Sequence, residues 1–157
     1  MNRINWGKLG LAIGITGGSG IVGSIFTTPE IKTWYPTLVK PSFNPPNYLF
    51  GPVWTILFVL MGIALYLIWQ VKNGKNKDEA LKIFWLQLGL NVAWSLFFFG
   101  LHNPFLAFID ILGLWLAIFV SIKKFIRVSS TAAYLLLPYL AWVSFAALLN
   151  FAIVRLN

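Results

Sequence analysis

Five apolar runs, each long enough to cross a bilayer, dominate this chain. A transmembrane helix needs about 20 mostly apolar residues, because the hydrocarbon core of a membrane is about 30 Å thick. The runs lack the period-two alternation of a membrane β-barrel. The sequence therefore predicts one domain, residues 1–157, that is an all-α integral membrane bundle of five transmembrane helices. The predicted helices cover approximately residues 6–26, 48–71, 83–101, 104–122 and 131–154.

The composition agrees with a membrane protein and excludes several kinds of chemistry. Hydrophobic residues make up 59% of the 157 residues and charged residues only 10%, which is too little charge for a soluble surface. The chain has no cysteine and one histidine. Thiolate sites are therefore excluded, and metal centres and Ser–His–Asp triads are disfavoured. We expect no metal site and no required cofactor.

The net charge of +8 is arranged as in a membrane protein. Basic residues lie at the ends of apolar runs and not on one amphipathic face, so no nucleic-acid partner is expected. Five spans place nine basic residues on one side: Arg3, Lys8, Lys72, Lys75, Lys77, Lys82, Lys123, Lys124 and Arg127. The other side has three: Lys32, Lys40 and Arg155. Because cytoplasmic loops are enriched in lysine and arginine, this bias predicts a cytoplasmic N-terminus and an outward C-terminus, with an organelle membrane as the alternative.

The segment between the first two runs is stiff and aromatic. The stretch 34–54 reads WYPTLVKPSFNPPNYLFGPVW and contains five of the eight prolines, including Pro45 and Pro46. Proline reduces the entropy lost on ordering, and the aromatic content argues against disorder. We interpret residues 27–47, here called the proline-rich segment, as a lid across the mouth of the bundle. The alternative is a structural plug or an interfacial belt.

Helical spacing groups aromatic and small polar side chains on three faces. The second helix contributes Trp54, Phe58 and Met61. The third contributes Asn91, Trp94, Ser95 and Phe98. The fifth contributes Pro138, Trp142, Phe145, Ala146 and Leu149, and Pro138 is expected to kink it. Such faces suit a cavity for a flat, largely apolar ligand. The alternative is helix–helix contact, with Asn91 and Asn150 bonded across the bundle.

Three other features support weaker hypotheses. Asp110 is the only acidic residue inside a span, which favours a functional site by default, but no second ionisable group is there to form a relay. Packing is therefore the preferred interpretation. His102 is interpreted as a solvated loop residue and not as a haem ligand. Two GxxxG steps on one face of the first helix predict close contacts within the bundle or between subunits, at Gly10, Gly14 and Gly18.

Three segments carry a resemblance to a known family. They are WYPTLVKPSFNPPNYLFGPVWTILFVLMG, LNVAWSLFFFG and LLLPYLAWVSFAALLN. Over nearly its whole length the chain resembles the translocator protein family, TSPO, also called tryptophan-rich sensory protein or peripheral benzodiazepine receptor. Its departures indicate a bacterial member, in the cell membrane.

The resemblance implies a five-helix bundle, often a homodimer in the lipid bilayer, that binds porphyrins and benzodiazepine- or isoquinoline-type ligands. It also implies that the proline-rich segment covers the pocket. Trp54 and Trp142 match two tryptophans tied to porphyrin chemistry in the family, and they are the catalytic candidates if that chemistry is photo-oxidative. Tyr35 matches a pocket position. The whole predicted ligand-binding set is Tyr35, Pro45, Pro46, Trp54, Phe58, Asn91, Trp94, Ser95, Trp142, Phe145, Ala146 and Leu149.

Three functions are compatible with these residues. The first is a membrane receptor or handling protein for protoporphyrin-like tetrapyrroles. The second is an enzyme that degrades porphyrin with light and oxygen, for which porphyrin is the substrate and no acid–base pair is needed. The third is a tetrapyrrole or lipid transporter, which the lack of an inverted repeat disfavours. Phe151 stands where the family's cholesterol motif has tyrosine, and this puts sterol binding in doubt.

Overall fold

The computed structural model describes residues 4–157, and the described part is helical, with no strand. Arg3, counted above among the basic residues, lies outside the described range. The helices are α1 (Trp6–Glu30), α2 (Phe50–Gln70), α3 (Lys75–Ser95), α4 (Pro104–Ile126), α5 (Ser130–Tyr134) and α6 (Leu137–Leu156). Short 3-10 turns occupy Tyr35–Thr37 and Asn47–Leu49, and a π-helical turn, Leu96–Gly100, continues α3.

Five helical stretches are long and apolar enough to cross a membrane. They are Trp6–Glu30, Asn47–Gln70, Lys75–Gly100, Pro104–Ile126 and Ser130–Leu156. The prediction of an all-α membrane bundle is therefore confirmed.

Several helices are longer than the apolar runs that predicted them. α1 continues to Glu30, and α3 begins at Lys75, well before residue 83. α4 continues to Ile126. An apolar run measures only the hydrocarbon thickness, whereas lysine and glutamate are good helix formers in the polar layers beyond it. The helix ends therefore lie outside the apolar runs.

The last span is broken into α5 and α6. Pro138 lies in the first turn of α6, where its missing N–H removes no helical hydrogen bond. The Leu136 N–H bonds the Ala133 carbonyl at 3.1 Å and forms the turn between the two helices. The distortion expected at Pro138 thus takes the form of a break just before the proline.

α1 and α2 approach each other closely at a glycine. A Cβ added to Gly62 would lie 2.6 Å from Ile13 Cα, so only glycine allows this contact. By contrast, a Cβ at each of the GxxxG residues would meet no heavy atom of the described chain within 4 Å: Gly10, Gly14 and Gly18. The GxxxG face therefore makes no close contact within the described bundle.

The proline-rich segment packs on one end of the bundle through local hydrogen bonds. The buried Tyr35 donates its hydroxyl proton to Asn44 Oδ1 at 2.7 Å. Lys40 Nζ donates to the Tyr35 carbonyl at 2.9 Å and lies 4.8 Å from the centre of the Tyr35 ring. The Asn157 side chain bonds both the N–H and the carbonyl of Val39, each at 3.0 Å. These contacts order the segment and attach it to the end of α6.

Candidate functional site

A cavity of about 630 Å³ lies between α1, α2, α3 and α6, with Tyr35 at one end. Its size falls within the roughly 300–1,000 Å³ that is typical of small-molecule sites. α4 contributes Ile111 and Leu114 to the wall. No described residue of the lining carries a charged side chain. The cavity therefore suits an apolar molecule better than an ionic one.

Nine of the twelve predicted ligand-binding residues line this cavity. They are Tyr35, Trp54, Phe58, Asn91, Trp94, Ser95, Trp142, Ala146 and Leu149. The set comes from the proline-rich segment, α2, α3 and α6, which are far apart in sequence. The tertiary structure thus brings the separate aromatic faces together around one space.

The other three predicted residues, Pro45, Pro46 and Phe145, lie off the cavity. The Pro45 carbonyl accepts from Asn44 Nδ2 at 3.1 Å, and the Pro46 carbonyl accepts from the Leu49 N–H at 3.0 Å. Both prolines therefore shape the approach to α2. Phe145 shares the helical face of Trp142, but its ring packs on the rings of Trp142 and Phe43, with ring centres 5.5 Å and 6.3 Å apart.

Stacked rings form two flat parts of the cavity wall. Trp54 stacks on Phe58, with ring centres 5.5 Å apart and planes 29° apart. Trp94 stacks on Phe98 at 5.1 Å and 22°. Trp142 meets Phe50 edge-on at 6.1 Å. Such faces complement a planar ring system, because aromatic groups prefer offset stacking and edge contacts.

Two asparagines combine a structural bond with a place in the cavity wall. Asn91 Nδ2 donates to the Tyr139 hydroxyl at 2.9 Å. Asn150 Oδ1 accepts from Trp94 Nε1 at 2.9 Å, and its Nδ2 donates to the Pro104 carbonyl at 2.8 Å. Both asparagines also line the cavity. The binding and helix-contact interpretations are therefore compatible at these positions.

α1 is the wall that the sequence analysis missed. Its small residues line the cavity in a stripe one position away from the GxxxG face: Gly17, Gly20, Gly23, Ser24, Thr27 and Thr28. Gly20 lies under Phe58, where a Cβ would come within 2.4 Å of the ring. The helical spacing of small residues was the available signal, but it did not show which glycine face turned inward.

Asp110 and His102 lie outside the cavity lining. Asp110 is 8% exposed, and its Oδ2 has no hydrogen-bond partner among the described residues. His102 is in the link between α3 and α4, as expected for a loop residue. Its Nε2 lies 3.0 Å from Glu30 Oε2, and its ring stacks on Trp34 at 4.4 Å. It therefore makes specific contacts in addition to being solvated.

The residues of this cavity can be compared with those of known proteins. The sequence profile of the TspO/MBR family matches residues 12–156, which is nearly the whole chain and includes every predicted ligand-binding residue. The chain belongs to the TspO/MBR family. The resemblance inferred from its motifs is thereby confirmed, and the chain is an integral membrane protein with five apolar helices.

TspO/MBR relatives come from archaea, bacteria and animals. The tryptophan-rich protein TspO of Archaeoglobus fulgidus is 50% identical over 139 residues, covering 88% of this chain and 89% of the relative. The tryptophan-rich protein TspO of Chlorobaculum tepidum is 47% identical over 150 residues, covering 95% of each. The human translocator protein is 39% identical over 138 residues, covering 87% of this chain and 82% of the relative.

Proposed function

We propose that this TspO/MBR chain is a membrane receptor or handling protein for flat, largely apolar ligands, chiefly protoporphyrin-like tetrapyrroles. Benzodiazepine- and isoquinoline-type molecules belong to the same class of ligand. The observation that carries this proposal is the uncharged, aromatic cavity of about 630 Å³, with nine predicted residues in its wall. Planar rings stacking on Trp54 and Trp94 would each gain roughly 0.5–1.5 kcal/mol beyond the burial of apolar area.

The charges of a porphyrin constrain its position. Its carboxylates cannot be buried without partners, since an unpaired buried charge is costly, and the described lining offers no cation. Lys40 lies beside Tyr35 at the covered end of the cavity. We therefore place the macrocycle among the tryptophans and its carboxylates toward the proline-rich segment.

Filling the cavity tests the proposed site. Ala146→Trp places a large ring in the cavity wall, so porphyrin affinity should fall by more than about tenfold. Leu148→Trp is the matched control, because Leu148 is on the same helix but 64% exposed. Affinity is measured from the porphyrin absorbance band in reconstituted vesicles. Equal affinities for the two variants and the parent protein would show that porphyrin binds elsewhere.

The second candidate function is light- and oxygen-dependent porphyrin degradation. The observation that favours it is that both candidate tryptophans, Trp54 and Trp142, line the cavity. An illuminated porphyrin can generate reactive oxygen from O₂, and electron-rich indoles beside it can donate electrons or trap that oxygen. No acid–base pair is required. Porphyrin loss in the light but not in the dark, dependent on these indoles, distinguishes the enzyme from a receptor.

We also infer that the protein lies in the cell membrane with its N-terminus in the cytoplasm. The Glu79–Lys124 ion pair joins the start of α3 to the end of α4, and most of the basic residues counted above cluster at that end of the bundle. The proline-rich segment and Asn157 lie together at the other end. The excess of lysine and arginine favours the first end as cytoplasmic.

A homodimer is part of this proposal, and the free GxxxG face of α1 is one candidate contact surface.

A further inference from the structure

The two sides of the cavity differ in their exposure at the surface of the bundle. On the side formed by α3, the π-helical turn after it and α6, the described lining residues are buried or half-buried, with Phe98 at 2% and Asn150 at 1% exposed. On the α1 and α2 side the lining includes Ile21 at 68% and Val59 at 37% exposed. Exposed lining residues lie on both of these neighbouring helices, which indicates that the cavity reaches the surface between them. The cavity therefore opens sideways, between α1 and α2.

The contacts between α1 and α2 explain why the opening occupies only part of the length of the two helices. The first half of α1 is joined to the middle and second half of α2 by three contacts. The Asn5 N–H bonds the Tyr66 hydroxyl at 3.0 Å, Thr16 Oγ1 donates to the Phe58 carbonyl at 2.7 Å, and Ile13 packs on Gly62. Beyond these contacts, small residues of the two helices face the cavity without closing it. We call this opening the α1–α2 slot, framed by Ile21, Ser24, Thr28, Gly51, Thr55 and Val59.

The edges of the slot are suited to hydrocarbon. Ser24 Oγ donates to the Ile21 carbonyl at 2.7 Å, and Thr55 Oγ1 donates to the Gly51 carbonyl at 2.9 Å. Both hydroxyl protons are therefore satisfied within their own helices. A Cβ built on Gly51 meets no heavy atom of the described chain within 4 Å, so there is open space beside this residue at the edge of the slot.

The slot faces the bilayer and not the aqueous phase. Its residues belong to two of the apolar spans, Trp6–Glu30 and Asn47–Gln70. Ser24 lies about 9 Å along α1 from its end at Glu30, at roughly 1.5 Å per residue. At the aqueous end the described lining includes the buried Tyr35, which is 5% exposed, and the exposed Asn47. Six exposed residues frame the slot, so most of the exposed lining lies along the slot and not at the aqueous end.

We propose that ligands enter and leave the cavity from the bilayer through the α1–α2 slot. This inference rests on the proposed binding function and adds a route and a class of ligand. The molecule must first partition into the membrane. Its ring system, which is flat and uncharged, must then pass the slot edge-on. Its charged groups stay toward the headgroups during passage, because the slot offers no partner for them. Water-soluble molecules of the same size are disfavoured by this route as well as by the apolar lining.

Narrowing the slot should slow both the entry and the release of the ligand. The double variant Ser24→Phe/Thr55→Phe places two rings across the opening, and Val22→Phe/Ile25→Phe is its control on exposed, non-lining positions of α1. With protoporphyrin in proteoliposomes, we expect association and dissociation rates to fall together by about tenfold or more. Because Ser24 and Thr55 also line the cavity, a damaged binding site would show as a raised dissociation rate, and that result would contradict the proposal. Unchanged rates in a folded slot variant would overturn the proposal, and Thr55→Phe alone is used if the double variant does not fold.

A second measurement needs no ligand. Phospholipids with brominated acyl chains quench indoles that the chains can reach, and Trp54 lies in the cavity behind the slot. The part of the quenching that disappears in Trp54→Phe should decrease when the slot is narrowed and persist in the control variant. Equal Trp54-dependent quenching in the slot variant and the control variant would refute a slot that is open to lipid. A second subunit that covers the slot would give the same result and would also refute the proposal. Absence of porphyrin binding together with slot-dependent quenching would refute the proposed function alone and leave an opening for other membrane-dissolved molecules.

Discussion

His102 Nε2 lies 3.0 Å from Glu30 Oε2, so the link between α3 and α4 is attached to the end of α1. The His102 ring also stacks on Trp34, with ring centres 4.4 Å apart and planes 16° apart. Trp34 meets Phe98 edge-on at 5.6 Å and precedes Tyr35 in the chain. Both Phe98 and Tyr35 line the cavity. The His102–Glu30 pair therefore joins three chain segments around the covered end of the cavity.

Removing this pair should loosen the proline-rich segment. His102→Asn deletes the stacked ring, and asparagine tolerates the left-handed backbone at this position, where φ is 49°. The partly exposed His102–Glu30 contact contributes about 0–1 kcal/mol and the stacked rings roughly 0.5–1.5 kcal/mol. Amide hydrogen exchange in 31–46 should therefore accelerate severalfold while exchange in α4 stays unchanged. Glu30→Gln separates the contribution of the His102–Glu30 contact from that of the ring stack, because it keeps the His102–Trp34 stack and removes the Glu30 carboxylate.

The cavity tryptophans should separate affinity from photochemistry. Trp→Phe at Trp54 or Trp142 keeps much of the aromatic surface, so porphyrin affinity should fall by less than about tenfold. The electron-rich indole is lost outright, so light-driven porphyrin breakdown should fall much further if the enzyme hypothesis holds. Absorbance loss under illumination and fluorescence-quench affinity are measured for each variant.

Trp69 and Trp115 are the controls for this experiment. Neither is among the described lining residues of the cavity. Trp115 instead donates its Nε1 proton to Ser144 Oγ at 2.8 Å. Substitution of either should change affinity and breakdown little. If breakdown and affinity fall in step at all four positions, the tryptophans form a binding surface only, and the enzyme hypothesis is rejected.

Tyr35 should make stability sensitive to alkaline pH. Burial raises the pKa of its hydroxyl above the ordinary value of 10.0, and the hydrogen bond to Asn44 opposes part of that change. Below about pH 10 the hydroxyl is protonated in both folded and unfolded chains, so its contribution is fully present. As pH rises further, the unfolded chain loses the proton first, and stability falls until the folded-state pKa is passed. The thermal midpoint of Tyr35→Phe should therefore decline less above pH 10 than that of the parent protein, whereas Tyr48→Phe, at a residue 74% exposed, should behave like the parent.

The Asn150 side chain should be essential to packing near the end of α6. Asn150→Leu removes its bonds to Trp94 Nε1 and the Pro104 carbonyl and leaves the Trp94 N–H without this partner. An unsatisfied buried group costs about 1–3 kcal/mol, so unfolding in detergent should require roughly 1–3 kcal/mol less. Asp110→Asn is the comparison, because Asp110 Oδ2 has no partner to lose among the described residues. Equal stability losses in the two variants would contradict this assignment.

The proposed orientation can be tested on a chain that has no cysteine of its own. Ser42 and Asn76 are both exposed and lie at opposite ends of the bundle. With the N-terminus in the cytoplasm, Ser42→Cys should react with an impermeant thiol reagent in intact cells. Asn76→Cys should react only after permeabilisation. The reverse pattern would invert the assignment.

The sequence by itself determined the spans, the family and most of the ligand-binding candidates. Apolar length is set by bilayer thickness, and the helical repeat places Trp54 with Phe58 and Ala146 with Trp142 whatever the rest of the chain does. Dense proline and aromatic content likewise indicated an ordered segment after α1. These are local properties, which a single stretch of sequence contains.

The tertiary structure alone decided how each helix is rotated about its axis. A glycine-rich helix has several similar faces, and contacts such as Ile13 on Gly62 and Thr16 on Phe58 turn the stripe at Gly17 and Gly20 toward the cavity. The same rotation left the GxxxG face outside and the α1–α2 slot open. Helix rotation depends on the sum of many contacts between distant segments, and in a membrane the surrounding lipid is as apolar as the helices themselves. Hydrophobicity therefore does not mark the inward face, and only the packed structure shows it.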